Sequence, residues 1–209
     1  MEEQDIREKI LEGTEMLFTR YGIRSVSMDD IARHLSVSKK TLYQHFADKD
    51  ELVYRMSERY LARTSKNYEQ IKNSSSNSVE ELSRISVRMK QDFESMNPSM
   101  LFDLQKYHPG AWNLYNQHKM QVISQSVEKN ITQGIKDGLF RAELNANILG
   151  RLRMAMMENG FNENIFPRDQ FNFVEVQSQI FELFVYGMCT EKGRKLYLKY
   201  KEDHYQPSL

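Results

Sequence analysis

The stretch SVSMDDIARHLSVSKKTLYQHFADKDEL, Ser25 to Leu52, decides how this chain is read. It holds three helix starts of related chemistry. Ser27 is placed to cap one short helix, with Asp29 and Asp30 in its first turn against the positive end of the helix dipole, and Val26 is placed to staple onto Ile31. Eleven residues later Ser38 takes the same role, with Val37 before it and Leu42 four positions into the next helix. Asp48 and Glu51 resemble a capping box that opens a longer fourth helix. Two short helices at this spacing fold against each other around Ile31, Ala32, Leu35, Val37, Leu42 and Phe46.

The third helix carries Lys39 and Lys40 in its first two positions, where each charge meets the positive dipole end at a cost of about 0.3–1 kcal/mol. A phosphate reverses that sign. A helix N-terminus with a hydroxyl and two ammonium groups suits an anion, and recognition helices enter the major groove with their N-terminal residues toward the bases. Thr41, Tyr43, Gln44 and His45 add hydroxyl, amide and imidazole groups able to meet phosphates or base edges. On periodicity alone Tyr43 is as readily a packing residue, and Lys40 a plain surface charge.

Outward from this stretch, Ile6, Ile10, Leu17, Phe18 and Tyr21 mark one face of a preceding helix that Gly22 ends. The whole chain has 209 residues, 29 of them basic and 29 acidic, so bulk charge does not draw it to a polyanion. The charge is local. Between Arg20 and Lys49, six basic residues (Arg20, Arg24, Arg33, Lys39, Lys40, Lys49) face three acidic ones (Asp29, Asp30, Asp48).

Ile6 to Leu52, and TLYQHFADKDEL above all, resembles the DNA-binding domain of the TetR family of bacterial transcriptional regulators. The resemblance implies that Thr41, Tyr43 and His45 touch DNA backbone or bases. It also implies that Lys49 grips a phosphate, that Lys39 is a variable base reader, and that Ser27 and Arg33 add contacts from the second helix. Ser38, Lys40 and Gln44 complete the expected DNA-binding set. A homodimer, a helical C-terminal domain and repression relieved by a small ligand are further implications.

Four prolines, nine glycines and apolar residues at three- and four-residue spacing make the remainder helical. The expected fold is all-α: a helix-turn-helix domain over 1–50, a fourth helix over 49–72 that ends at KNSSSNS, and a helical regulatory and dimerisation domain over 73–209. Val79, Leu82, Ile85, Met89 and Phe93 mark one helix, stopped by Asn97-Pro98. Tyr115, Val122, Ile123, Val127, Ile131 and Ile135 mark a long one up to Gly138. Another runs through Ile148, Leu152 and Met156, and the most apolar spans about 171–188.

Phe102, Tyr107, Trp112, Tyr115, Met154, Met157, Phe161 and Phe166 are candidate walls of a pocket for a small apolar effector, with core packing as the plainer reading. Phe171, Val174, Ile180, Phe181, Phe184, Val185 and Met188 exceed what one helix face needs for its own domain. With Ile148 and Leu152 they form the expected dimer interface. Two-fold symmetry then sets two recognition helices roughly 34 Å apart or more on a near-palindromic operator.

One cysteine and five scattered histidines offer no disulfide and no metal site, and no cofactor is expected. No nucleophile elbow, phosphate-binding glycine loop or carboxylate dyad suggests an enzyme. The charged start and the absence of a long apolar run point to a cytoplasmic protein without a membrane partner. The expected function is a ligand-released repressor binding double-stranded DNA as a homodimer. The alternative is a DNA-binding protein whose C-terminal domain holds a protein partner.

Overall fold

The computed structural model describes Glu3–His204, so the ends of the expected segments, residues 1–2 and 205–209, lie outside the described residues. The chain is all-α, as its periodicity predicts. Its helices are α1 (Glu3–Tyr21), α2 (Met28–His34), α3 (Lys39–His45), α4 (Lys49–Ser74), α5 (Ser78–Ser95), α6 (Met100–Tyr107), α7 (Pro109–His118), α8 (Ser124–Lys136), α9 (Ala146–Asn159), α10 (Phe173–Met188) and α11 (Glu191–His204). They gather into two compact units, one taking residues up to Thr64 with Ser95–Gln117, the other Ser65–Glu94 with the residues from His118.

In the first unit Ile10, Phe18, Ile31, Leu42, Phe46, Leu52 and Val53 share one core with Leu104 and Ala111 from α6 and α7. Polar contacts fix the helices around it. Arg59 of α4 reaches Glu8, Glu12 and Glu15 of α1 at 3.0, 2.6 and 3.1 Å, and Arg63 holds Glu15 from the next turn. The start of α6 is tied to the end of α1, where the Asn97 amide donates to the Thr19 carbonyl at 2.7 Å. Asp103 accepts from the Arg24 amide at 3.0 Å, and His108 Nδ1 lies 2.6 Å from the Asp50 carboxylate. Gly22, at φ 81, leaves α1 where a side chain would crowd Ser99.

In the second unit Val79, Leu82 and Met89 of α5 pack with Ile131 of α8, Leu139, Phe140, Tyr197 and one stripe of α10. That stripe is Phe181, Phe184, Val185 and Met188, all 6% exposed or less. These four residues, among those expected at a dimer interface, lie in the core of their own unit; they recur at three- and four-residue steps and face α5 and α8 neighbours. A short bridge pairs Phe140 with Cys189, and the Arg141 amide donates to the Met188 carbonyl at 3.0 Å.

The helix expected from 111 to 137 is interrupted by a π-turn at Lys119–Ile123. A π-turn inserts one residue and rotates the helix downstream of it. It falls where the helix passes from residues packed in the first unit to residues packed in the second, so each part buries its own stripe.

Beside it His118, half-buried with Nε2 2.9 Å from Ser65 Oγ, has its pKa held below the ordinary 6.5 by desolvation. Folding therefore disfavours the imidazolium, and this contribution to stability is lost as pH falls through about 6.5. Thermal melts of the wild type and of His118→Gln between about pH 7.5 and 5.5 check the sign: the variant is expected to lose less melting temperature on acidification.

Gly193, in the first turn of α11, lies under the Leu139 carbonyl, where a Cβ would lie 2.1 Å from the oxygen. Backbone cannot yield there as a side-chain tip can. Gly193→Ala is expected to cost about 2 kcal/mol, read from the midpoint of urea unfolding.

Candidate nucleic-acid interface

The reading head is built from its caps. The Ser27 hydroxyl accepts the Asp30 amide at 3.1 Å, and the Asp30 carboxylate accepts the Ser27 amide at 3.0 Å, closing a capping box at the start of α2. The Ser27 hydroxyl, donating to the same carboxylate at 2.5 Å, and then the Ser27 amide hold the Asp30 pKa below the usual carboxylate range. The other end of α2 closes with the Val37 amide on the Ala32 carbonyl and the Ser36 amide on the Arg33 carbonyl, Ser36 taking φ 54. This left-handed residue makes the turn of the helix-turn-helix.

Ser38 then caps α3, its hydroxyl accepting the Thr41 amide at 2.9 Å and lying 2.8 Å from the Thr41 hydroxyl. Leu42 and Phe46, 0% and 1% exposed, turn one side of α3 into the core. Lys40, Tyr43 and Gln44 consequently face water, and Tyr43 is 50% exposed. Thr41 and His45 flank them half-buried. Exposure of an aromatic ring beside an amide and an ammonium is what base and phosphate contacts need.

Two cations are engaged in ways sequence does not show. The Lys39 ammonium lies 2.6 Å from the Asp29 carboxylate of α2, which offsets its unfavourable place at a helix start. Lys49, at the start of α4, donates to the Ile23 carbonyl at 2.7 Å and lies over the Phe18 ring. Its pKa is lowered by desolvation, against the raising effect of Asp103, Asp50 and Asp30. The ammonium expected on a phosphate is thus committed to the α1–α2 turn. Arg33 is exposed and 3.5 Å from Asp30.

The eight residues expected around an effector divide between the units. Trp112 stacks on Tyr115 at 5.4 Å in the first, where Phe102 and Tyr107 are 53% and 36% exposed. In the second, Met154 is buried, Met157 half-buried, and Phe161 joins Phe93 and Phe173 with ring centroids 4.8–5.9 Å apart. Phe166 meets Phe171 edge to face.

Of the expected dimer residues, Ile148 and Leu152 are 61% and 46% exposed, Phe171 is 44% exposed, and Val174 and Ile180 are half-buried. Leu183, at 68%, was not among them. Its signal lies in α10 itself: once Phe181, Phe184, Val185 and Met188 fill one stripe, Leu183 is the apolar residue left outside it. Asp103 was also missed, although it is the lone acid in MLFDLQKY. Cys189 has its thiol pushed up to about 11 by burial, which leaves it protonated and unreactive at neutral pH.

A helix-turn-helix head of this geometry on an all-helical chain is the build of a DNA-binding domain. Residues 10–56 match the family of bacterial regulatory proteins, tetR family. The chain is 34% identical over 105 residues to the uncharacterized HTH-type transcriptional regulator YvaF of Bacillus subtilis, covering 50% of this chain and 55% of that protein. The chain thus spans about half the length of that relative. It is 25% identical over 152 residues to the HTH-type transcriptional repressor KstR2 of Mycobacterium tuberculosis, covering 69% and 74%. A Saccharomonospora viridis protein crystallised with choline shares the fold at a TM-score of 0.73 and 19% identity, covering 90% of this chain and 100% of that one. Residues 10–56 thus carry the family's N-terminal domain, and the remainder of the chain shares the all-helical fold of such regulators.

The cap of α3 should be measurable in isolation. Ser38→Ala is expected to lower stability by about 1 kcal/mol in urea unfolding, while Ser38→Thr, which keeps the hydroxyl, retains most of it.

Proposed function

We propose that this protein is a transcriptional repressor that binds a near-palindromic operator as a homodimer in the cytoplasm and leaves it when a small, largely apolar effector binds. The observation that carries this reading is the outward face of α3, where Lys40, Tyr43 and Gln44 stand clear of the core beside a capped, anion-seeking helix start. Ser27, Arg33, Ser38, Thr41 and His45 flank that face as further contacts. Lys39 reads its base after exchanging Asp29 for DNA, and Lys49 acts by holding the turn ahead of α2.

The homodimer forms through the exposed apolar residues of α9 and α10, Ile148, Leu152 and Leu183, with Gly187 one turn beyond Leu183 and open space around it. A glycine inside a helix costs about 1 kcal/mol relative to alanine, and nothing within the chain requires it there. A partner helix passing close to Gly187 does. Effector binding is supported by the half-buried rings of Phe93, Phe161 and Phe173, and by the S. viridis protein's choline. The effector acts by its different affinity for two arrangements of the paired heads. Repression rather than activation accords with the name of the mycobacterial relative.

Binding is tested with a duplex carrying the sequence the protein selects from a random pool. Tyr43→Ala is expected to weaken its Kd at least about tenfold with the melting temperature unchanged. Leu183→Glu, read by light scattering, is expected to halve the molar mass and abolish operator binding at submicromolar protein. A dimer that survives Leu183→Glu and Leu152→Glu together places the interface elsewhere.

A further inference from the structure

Two residues expected to line a pocket, Phe102 and Tyr107, are exposed on the first unit and carry cations on their rings. The Lys106 ammonium lies 5.3 Å from the Phe102 ring centroid and 5.4 Å from that of Tyr107. The Arg24 guanidinium, from the α1–α2 turn, lies 5.4 Å from the same Tyr107 ring. Two cations from different elements thus share one exposed ring. Arg20, over Tyr21 at 5.2 Å, ends α1 just ahead of that turn.

Among the described residues, none of Arg20, Arg24 and Lys106 has an ion-pair partner, whereas Arg33, Lys39, Arg55, Arg59 and Arg63 of the same unit all do. The helix dipoles favour Arg20 and Lys106 in the last turns of α1 and α6, but they do not account for Arg24 or for the exposed rings. The lone acid of α6, Asp103, is 5% exposed and turned onto the Arg24 amide, so it anchors the turn without neutralising its surface. Stacking on a ring face also orders a long cationic side chain in advance, which lowers the cost of fixing it on an anion.

We infer that Arg24 and Lys106, ordered on Tyr107, form a second DNA-backbone contact that clamps phosphates beyond those reached by α3. The inference rests on the proposed operator binding. Arg24 is three residues from Ser27, the cap of α2, so the patch begins within about 11 Å of the reading head even at full extension. Duplex DNA presents a phosphate for about every 1.7 Å of axis, so a basic surface that close to a bound head has further phosphates of the same duplex within reach. Guanidinium and ammonium groups bind phosphate without regard to sequence, and the contact adds affinity and salt dependence but no base preference.

The test compares wild type, Arg24→Gln/Lys106→Gln, Arg24→Lys/Lys106→Arg and Lys136→Gln on the selected duplex, about 60 base pairs long, across a salt titration and by phosphate-ethylation interference. Arg24→Gln keeps the backbone amide that Asp103 accepts, and Lys136 is an exposed cation of the second unit. The double glutamine variant is expected to have a log Kd against log salt slope shallower by about two and an affinity about tenfold weaker near 0.1 M salt. It should lose interference at phosphates outside the α3 footprint while its base preference stays. The charge-preserving pair should keep the wild-type slope, and Lys136→Gln should change nothing.

An unchanged slope and footprint in the double glutamine variant overturns the inference and leaves operator binding standing. An equal effect of Lys136→Gln overturns it in favour of bulk charge. A wild type that selects no duplex DNA overturns the operator reading and this one with it.

Discussion

Burial of Leu42 and Phe46 is the constraint on which the head depends. Leu42 lies within the seven-residue α3 and Phe46 caps its end four residues on, and both are sealed in the core shared by α1, α2 and α4. A helix this short has no stability of its own in water, so its existence and rotation come from those two side chains and from Ser38. Sealing them leaves one orientation, in which Lys40, Tyr43 and Gln44 point outward together. The Ser36 turn sets where α3 begins, because only a left-handed residue lets the Val37 amide fold back onto Ala32 while the chain changes direction. Surface chemistry and core packing are two sides of the same seven residues.

Charge is set by that packing rather than by composition. With 29 cations and 29 anions the chain has no net field to offer DNA, and many of its cations are spent on internal geometry. Arg59 and Arg63 tie α4 to the glutamates of α1, and Lys49 is drawn onto a backbone carbonyl. Exposed pairs of this kind contribute little each to stability, but a guanidinium shared among three carboxylates fixes a helix angle.

The helix-turn-helix was legible because short-range chemistry dictates it: caps at Ser27 and Ser38, a staple at each, and apolar residues at helical spacing. The compact units were less so, because residues 95–117 join the first unit through a few apolar residues, Leu104 and Ala111, and through polar atoms such as Asp103 that periodicity does not register. The π-turn at Lys119 was hidden for a similar reason, since one helix serving two cores still reads as one apolar stripe. On α10 two kinds of apolar residue separate. Phe181, Phe184, Val185 and Met188 are a complete inward stripe, and strong periodicity marks the core of the same unit. The apolar residue that the stripe does not include is left on the surface, here Leu183.

The way α6 is fastened bears on how a signal could reach the head. Asn97, Asp103 and His108 make directional contacts with Thr19, Arg24 and Asp50, which lie at the end of α1, in the α1–α2 turn and at the start of α4. Hydrogen bonds of 2.6–3.0 Å weaken steeply with displacement and misalignment, unlike apolar packing, which tolerates sliding. A shift of α6 therefore either carries those three points with it or breaks their bonds. Two of the points bracket the approach to α2, and the third comes directly after α3, so the reading helices lie between fixed posts that move together. Lys49 reinforces this by joining α4 to the Ile23 carbonyl, adjacent to the amide that Asp103 holds. On the proposed repressor reading, the head is then displaced as a body with its caps and outward face intact, and DNA affinity changes through where the head is carried rather than through any unfolding of α3.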